Sequence, residues 1–160
     1  MTAEAMAPPI VGKKIGSFSI ATTASPKLTS KDLLGQPYVL YFYPKDDTPG
    51  CTLEGKDFRD RHLELRDLGV RVIGVSRDTL ASHEKFRGKY ELPFELASDA
   101  DEKLCRQFDV IKHKNMYGRK VRGIERSTFL VDAGGVLRKE WRKVKVDGHV
   151  AEVLAAAAEL

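Results

Sequence analysis

Apolar residues in this chain gather into short runs separated by glycine, proline and charge. The most continuous run, Tyr38-Val39-Leu40-Tyr41-Phe42-Tyr43, suits a strand covered on both faces, and Pro44 ends it because proline cannot donate to a sheet ladder. Before it, Phe18 and Ile20 alternate with small polar residues between Ser17 and Thr22, the pattern of a half-exposed strand, and Ser25-Pro26 turns the chain out of it. Thr29 to Gly35 reads as one capped turn closing on glycine. Residues 1–12 show no periodicity and read as a loosely held arm, which leaves 13–160 as a single domain.

After the apolar run, Cys51, Phe58, Leu65 and Leu68 fall on one stripe of three- and four-residue steps, predicting a helix that faces the sheet and ends at Leu68-Gly69. His62 lies on that stripe and reads as a packed side chain rather than a ligand. Val70 to Ser76 predicts a strand, Thr79 to Tyr90 an exposed helix, and Phe94-Glu95-Leu96 a short strand. Ser98-Asp99 then caps a helix through Leu104, Cys105 and Phe108. Ser127–Asp132 and Val136–Trp141 form a hairpin around Ala133-Gly134-Gly135, and a last helix starts near Asp147 and runs through Val150, Val153 and Leu154. This order of elements describes an α/β domain, a mixed central sheet flanked by helices on both faces.

Composition adds mainly exclusions. At 160 residues the chain can bury a core without a disulfide or a metal, and no apolar run approaches the length of a membrane span. The first residues lack a basic region followed by an apolar core, so no secretory signal is read and a reducing cytoplasm is expected. The net charge of +4 is spread among interleaved acids and bases, which does not imply nucleic acid. Its densest basic stretch, Lys112 to Arg122, reads as a solvated loop rather than an anion or polynucleotide patch. In a reducing compartment the two cysteines, Cys51 and Cys105, read as reactive or buried thiols and not as a bridge. His62, His83, His113 and His149 are scattered without metal-ligand spacing.

The chemistry concentrates where the apolar run ends. Thr48 is placed as a helix N-cap and Pro49 as the first helical residue, so Cys51 lies in the first turn, where free backbone N–H groups and the helix dipole favour the reactive thiolate. A thioredoxin-type site is laid out in this way, with Thr48 standing where the first cysteine of a Cys-x-x-Cys pair would be. A single thiolate can attack an electrophile and become a sulfenic acid, but it cannot form the local disulfide that dithiol exchange uses. Peroxide is the natural electrophile.

The segment Tyr41-Phe42-Tyr43-Pro44-Lys45-Asp46-Asp47-Thr48-Pro49-Gly50-Cys51-Thr52-Leu53-Glu54 contains Pro44-x-x-x-Thr48-x-x-Cys51, which resembles the active-site motif of peroxiredoxins, most closely the bacterioferritin comigratory protein (PrxQ-like) branch. The likeness continues through Gly74–Asp78, Ser98-Asp99, Asn115–Gly118 and Arg126–Asp132, and so covers roughly residues 12 to 160. It implies a thioredoxin-like fold, no metal, no organic cofactor, and reduction of hydrogen peroxide or organic hydroperoxides. Within it Cys51 matches the peroxidatic cysteine, Thr48 the hydroxyl that binds a peroxide oxygen, Pro44 a shield for the thiolate, and Arg126 the arginine that supports the thiolate and polarises the peroxide.

Recycling is where the chain departs from the family. Of the positions at which many members carry a resolving cysteine, one holds Lys56 and the other falls at Arg87 or a close neighbour, again without a cysteine, and Cys105, beside Leu104 and Phe108, reads as a buried inert thiol rather than a resolving one. The expectation is therefore a one-cysteine peroxidase recycled by an external thiol such as thioredoxin, glutaredoxin or glutathione, working as a monomer or weak dimer. Two alternatives stand beside it. A thiol–disulfide oxidoreductase lacks its Cys-x-x-Cys here, and a non-catalytic redox sensor has no need of the Pro44, Thr48 and Arg126 set.

Overall fold

The computed structural model describes residues 8–160, so residues 1–7 of the expected arm lie outside the described residues. Gly12 already donates its N–H to the Leu137 carbonyl at 2.8 Å, and Lys13 accepts from Leu137 N at 3.0 Å. The chain then forms β1 (Ser19–Thr22), β2 (Leu28–Thr29) and β3 (Tyr38–Phe42). Next come α1 (Pro49–Asp60), α2 (His62–Asp67), β4 (Arg71–Ser76), α3 (Leu80–Tyr90), β5 (Glu95–Ser98) and α4 (Lys103–Gln107). It finishes with β6 (Ile111–Met116), β7 (Arg119–Ile124), β8 (Ser127–Val131), β9 (Leu137–Trp141) and α5 (His149–Ala157). No helix among the described residues is long and apolar enough to cross a membrane.

Seven strands make one sheet in the order β2-β1-β5-β4-β3-β8-β9, with β3 parallel to β4 and antiparallel to β8. All five residues of β3 are buried, as an apolar run covered on both faces requires. Alternate β3 side chains divide the core. Tyr38, Leu40 and Phe42 pack with Leu104, Cys105 and Phe108 of the α4 region, whereas Val39, Tyr41 and Tyr43 pack with Cys51, Phe58, Leu65, Phe86 and Val153 from α1, α2, α3 and α5. Cys51 and Cys105 therefore lie on opposite faces of the sheet.

Most elements fall where the residue pattern puts them, and the differences have local causes. The stripe Cys51, Phe58 and Leu65 is buried, but Leu68 is 42% exposed. The helix is interrupted at Arg61 and ends in a Schellman turn, where Gly69 (φ +76°) lets Val70 N reach Leu65 O at 2.9 Å; Val70 turns into the core and Leu68 turns out. Helix α3, expected to be exposed, buries His83 and Phe86 completely or nearly so. Two-residue β2 is too short to show a pattern.

The largest correction concerns Lys112 to Arg122, which is a two-stranded hairpin and not a loop. Its turn residues Tyr117 (φ +53°) and Gly118 (φ +77°) are both left-handed, the backbone of a tight hairpin turn. Tyrosine in place of asparagine hides that turn, and strands made mainly of cations carry no apolar alternation.

Close packing over β4 requires a glycine. Tyr41 lies opposite Gly74 in the parallel register, and a Cβ at position 74 would sit 2.8 Å from the Tyr41 ring and from Leu96 Cδ2. The same ring stacks on Phe58 with centroids 4.5 Å apart, so it has little room to retreat. Gly74→Ala is expected to destabilise the fold by about 1–3 kcal/mol through overpacking, measured as a lower urea midpoint with an unchanged m-value.

Candidate active site

Strand β3 delivers the site. Tyr43 N still bonds Val75 O at 3.0 Å, after which Pro44, exposed and without an N–H, ends the ladder. The turn from Lys45 to Thr48 is closed by the Thr48 hydroxyl, which donates to Lys45 O at 2.8 Å. Thr48 does occupy the N-cap position, and its carbonyl accepts from Thr52 N at 2.8 Å, but its side chain does not cap the helix as expected, because the hydroxyl hydrogen is used inside the turn. Pro49 is the first helical residue as expected, and Cys51 the third, 2% exposed.

Arg126 enters from the other side, immediately before β8. Because Ser127 pairs with Phe42, the arginine stands at the same end of the sheet as the Cys51 turn. Its Nη2 donates to Cys51 Sγ at 3.3 Å and its Nη1 donates to Glu54 Oε1 at 2.6 Å. Burial works against the guanidinium charge, yet the carboxylate and the sulfur outweigh it and hold the Arg126 pKa above its ordinary value. Gly50 keeps the approach open, since a Cβ there would lie 3.1 Å from Arg126 Nη2.

Glu54 is the residue that the motif contained and sequence reasoning gave no role. It lies three positions after Cys51 on the same side of α1, is completely buried, and its Oε2 has no hydrogen-bond partner among the described residues. Burial pushes its carboxyl up to about 7, against the pull of Arg126. The available signal was an acid at a helical step from the cysteine, opposite a distant arginine in a core-strand context; only the fold brings the two together.

A second polar cluster underlies the turn. Asp46, 8% exposed, accepts from Tyr43 Oη at 2.6 Å and Ser82 Oγ at 2.8 Å, and its Oδ2 is 2.7 Å from His83 Nδ1. The other ring nitrogen of His83 donates to Ala97 O at 2.9 Å, which fixes α3 to both the turn and β5. Asp78 accepts from Asp46 N at 2.9 Å. Asp46, Asp78 and His83 have their ligand-type atoms within 4.8 Å of one another, but each is engaged in these hydrogen bonds, so the group is a brace for the turn. His62 is half-buried beside Phe94, consistent with a packed histidine. His149, buried at the start of α5, meets Thr128 Oγ1 at 2.8 Å, and burial followed by the Arg126 charge lowers its pKa to about 4.

Cys105 has a different setting. It is completely buried in α4, its N–H bonds the Asp99 carboxylate at 2.6 Å, and burial followed by the Asp99 charge pushes its thiol pKa up strongly. Lys56 lies in α1, and Arg87, in α3, bonds Phe94 O at 2.9 Å.

Comparison with known proteins gives concordant matches. Residues 11–140 match the model of the AhpC/TSA family. The chain is 57% identical to Peroxiredoxin Bcp of Xanthomonas campestris over 76% of each chain. It is 47% identical to Peroxiredoxin Bcp of Bacillus subtilis, over 94% of this chain and 96% of the relative. Among solved structures, the Xanthomonas campestris bacterioferritin comigratory protein, described for its alkyl peroxide reduction activity with trapped intermediate and ligand complexes, superposes with a TM-score of 0.84 at 48% identity, covering 89% of this chain and 90% of that one. The shared fold is thioredoxin-like, as expected.

The raised Glu54 pKa makes a pH prediction. From the ordinary 4.5 up to about 7, the unfolded chain releases a proton that the folded chain keeps, so this group's contribution to stability falls as pH rises through that window and then levels off. Glu54→Gln lacks that fall. Its melting temperature relative to the unsubstituted chain is expected to shift upward by several degrees between acidic and mildly alkaline buffer, measured by thermal unfolding at the two ends of the window.

Proposed function

The chain belongs to the AhpC/TSA family, and we propose that Cys51 is the nucleophile with which it works as a thiol peroxidase. The observation that carries this role is a buried sulfur in the first turn of α1, 3.3 Å from an arginine that a buried carboxylate holds in place. In the reaction the Cys51 thiolate attacks the near oxygen of a hydroperoxide; the S–O bond forms as the O–O bond breaks, and the departing oxygen takes a proton and leaves as water or alcohol. Cysteine thiol plus hydroperoxide thus become sulfenic acid plus alcohol. Arg126 and the unpaired first-turn N–H groups meet the charge that grows on the oxygens, and Glu54 keeps the guanidinium aimed. The Thr48 hydrogen is committed to Lys45 O, which leaves its oxygen lone pairs to accept the hydroperoxide O–H. The near-complete burial of Cys51 shields the thiolate from water, a role to which Pro44, at the end of β3, is also assigned.

Recycling is assigned to an outside thiol. A disulfide needs the two Cα atoms within about 7 Å, whereas Cys51 and Cys105 belong to clusters on opposite faces of the sheet. A dithiol reductant balances the cycle: the sulfenic acid and two thiols give the Cys51 thiol, the reductant's disulfide and water. This chemistry suits a reducing, cytoplasmic setting.

Cys51→Ser is expected to abolish peroxide consumption, and Cys105→Ser to turn over normally. Arg126→Ala should lower the second-order rate with peroxide by on the order of a hundredfold, by analogy with loss of an oxyanion donor at about 2.7–4 kcal/mol. Stoichiometric peroxide should leave a dimedone-trappable sulfenic acid in an intact-mass measurement; loss of two hydrogens without an adduct, abolished in Cys105→Ser, would instead assign resolution to Cys105.

A further inference from the structure

The β6–β7 hairpin carries Lys112, His113, Lys114, Arg119, Lys120 and Arg122 with no acid between Val110 and Ile124. Two of these cations are spoken for at its base. Lys112 pairs with Asp109 at 3.2 Å, and Arg122 pairs with Glu102, which Arg77 and Arg106 also contact. Lys114, Arg119 and Lys120 are exposed and have no acidic partner among the described residues. Cross-strand register puts Lys114 beside Val121, and alternation puts Arg119 on that same face and Lys120 on the other, so the ribbon presents free cations on both of its faces. Val121 is 42% exposed and Tyr117, at the tip, 99% exposed. An aromatic and an aliphatic side chain among unpaired cations make a surface suited to a protein of opposite charge.

The hairpin is rooted at the sulfur. Ile124 is buried in the core, Glu125 N closes the base on Val110 O at 2.7 Å, and the next residue is Arg126, whose guanidinium touches Cys51. At about 3.4 Å per strand residue, the free cations stand up to roughly 17–24 Å along the ribbon from Arg126. A peroxide at Cys51 cannot reach them, nor can a tripeptide thiol, whose extended length is only about 10 Å. A folded protein can cover both the ribbon and the sulfur. Resting on the peroxidase reading above, we propose that this hairpin is the docking surface for an acidic dithiol protein that reduces the Cys51 sulfenic acid. A polynucleotide would satisfy the charge but supplies no thiol to the site at the hairpin's root.

The test separates the two half-reactions in the full-length chain. Sulfenic acid formation, read as the dimedone adduct, should be equal in the unsubstituted chain and in the triple variant Lys114→Glu, Arg119→Glu, Lys120→Glu. Reduction by an acidic thioredoxin should fall roughly tenfold or more in the variant and lose its salt dependence, while reduction by dithiothreitol and by glutathione stays the same. A triple Gln variant should show an intermediate loss, which keeps the test decisive if charge reversal disturbs folding. Equal thioredoxin rates, or a matching loss with dithiothreitol, would overturn the docking assignment, and a matching loss with glutathione would replace it with a small-anion site. Absence of both a dimedone adduct and any peroxide-driven loss of two hydrogens in the unsubstituted chain would overturn the peroxidase reading itself, and the docking assignment with it; loss of two hydrogens alone would overturn only the docking assignment.

Discussion

A guanidinium buried between a carboxylate and a sulfur is the interaction around which this molecule is arranged. Arg126 reaches Cys51 with one nitrogen and Glu54 with the other, and all three groups are largely removed from water. Removing Arg126 leaves Glu54 as a buried acid without its partner, which costs far more than a surface ion pair is worth. The sheet makes the arrangement possible: β3 ends in the turn that starts α1, and antiparallel β8 begins beside that end, so two segments far apart in sequence meet at one end of the sheet.

Legibility in the sequence followed the range of the forces involved. Covered strands, the Ala133–Gly135 hairpin, the helix entry at Pro49 and the helix stop at Gly69 are local events set by side-chain period and backbone freedom, and they read directly. The hairpin through Tyr117-Gly118 did not, because its strands face water and its turn lacks the usual asparagine. Buried polar pairing was the least legible. His83 looked like one histidine of four, on an exposed helix, whereas Asp46 with Tyr43 behind it, and Ala97 O, hold it from two other places in the chain. The family resemblance named the cysteine and, in a separate stretch, its arginine, while the carboxylate that aims the arginine needed the fold.

The brace at Asp46 and His83 ties α3 to the Cys51 turn as one body. At the α3 position where relatives are expected to carry a resolving cysteine this chain has Arg87, bonded to Phe94 O at 2.9 Å. Rigidity at the turn is thus compatible with the proposed reliance on an outside thiol.

The separation of the two thiols by the sheet also fixes a race. On the proposed recycling by an outside thiol, the sulfenic acid at Cys51 lasts until something arrives from solution. A thiol restores the cysteine. A second peroxide carries the sulfur on to sulfinic acid, which ordinary thiols do not reverse. The fraction of molecules lost in each turnover is then set by the ratio of peroxide to reductant outside the protein, so the chain would record episodes in which oxidant outran supply as a permanent loss of active protein.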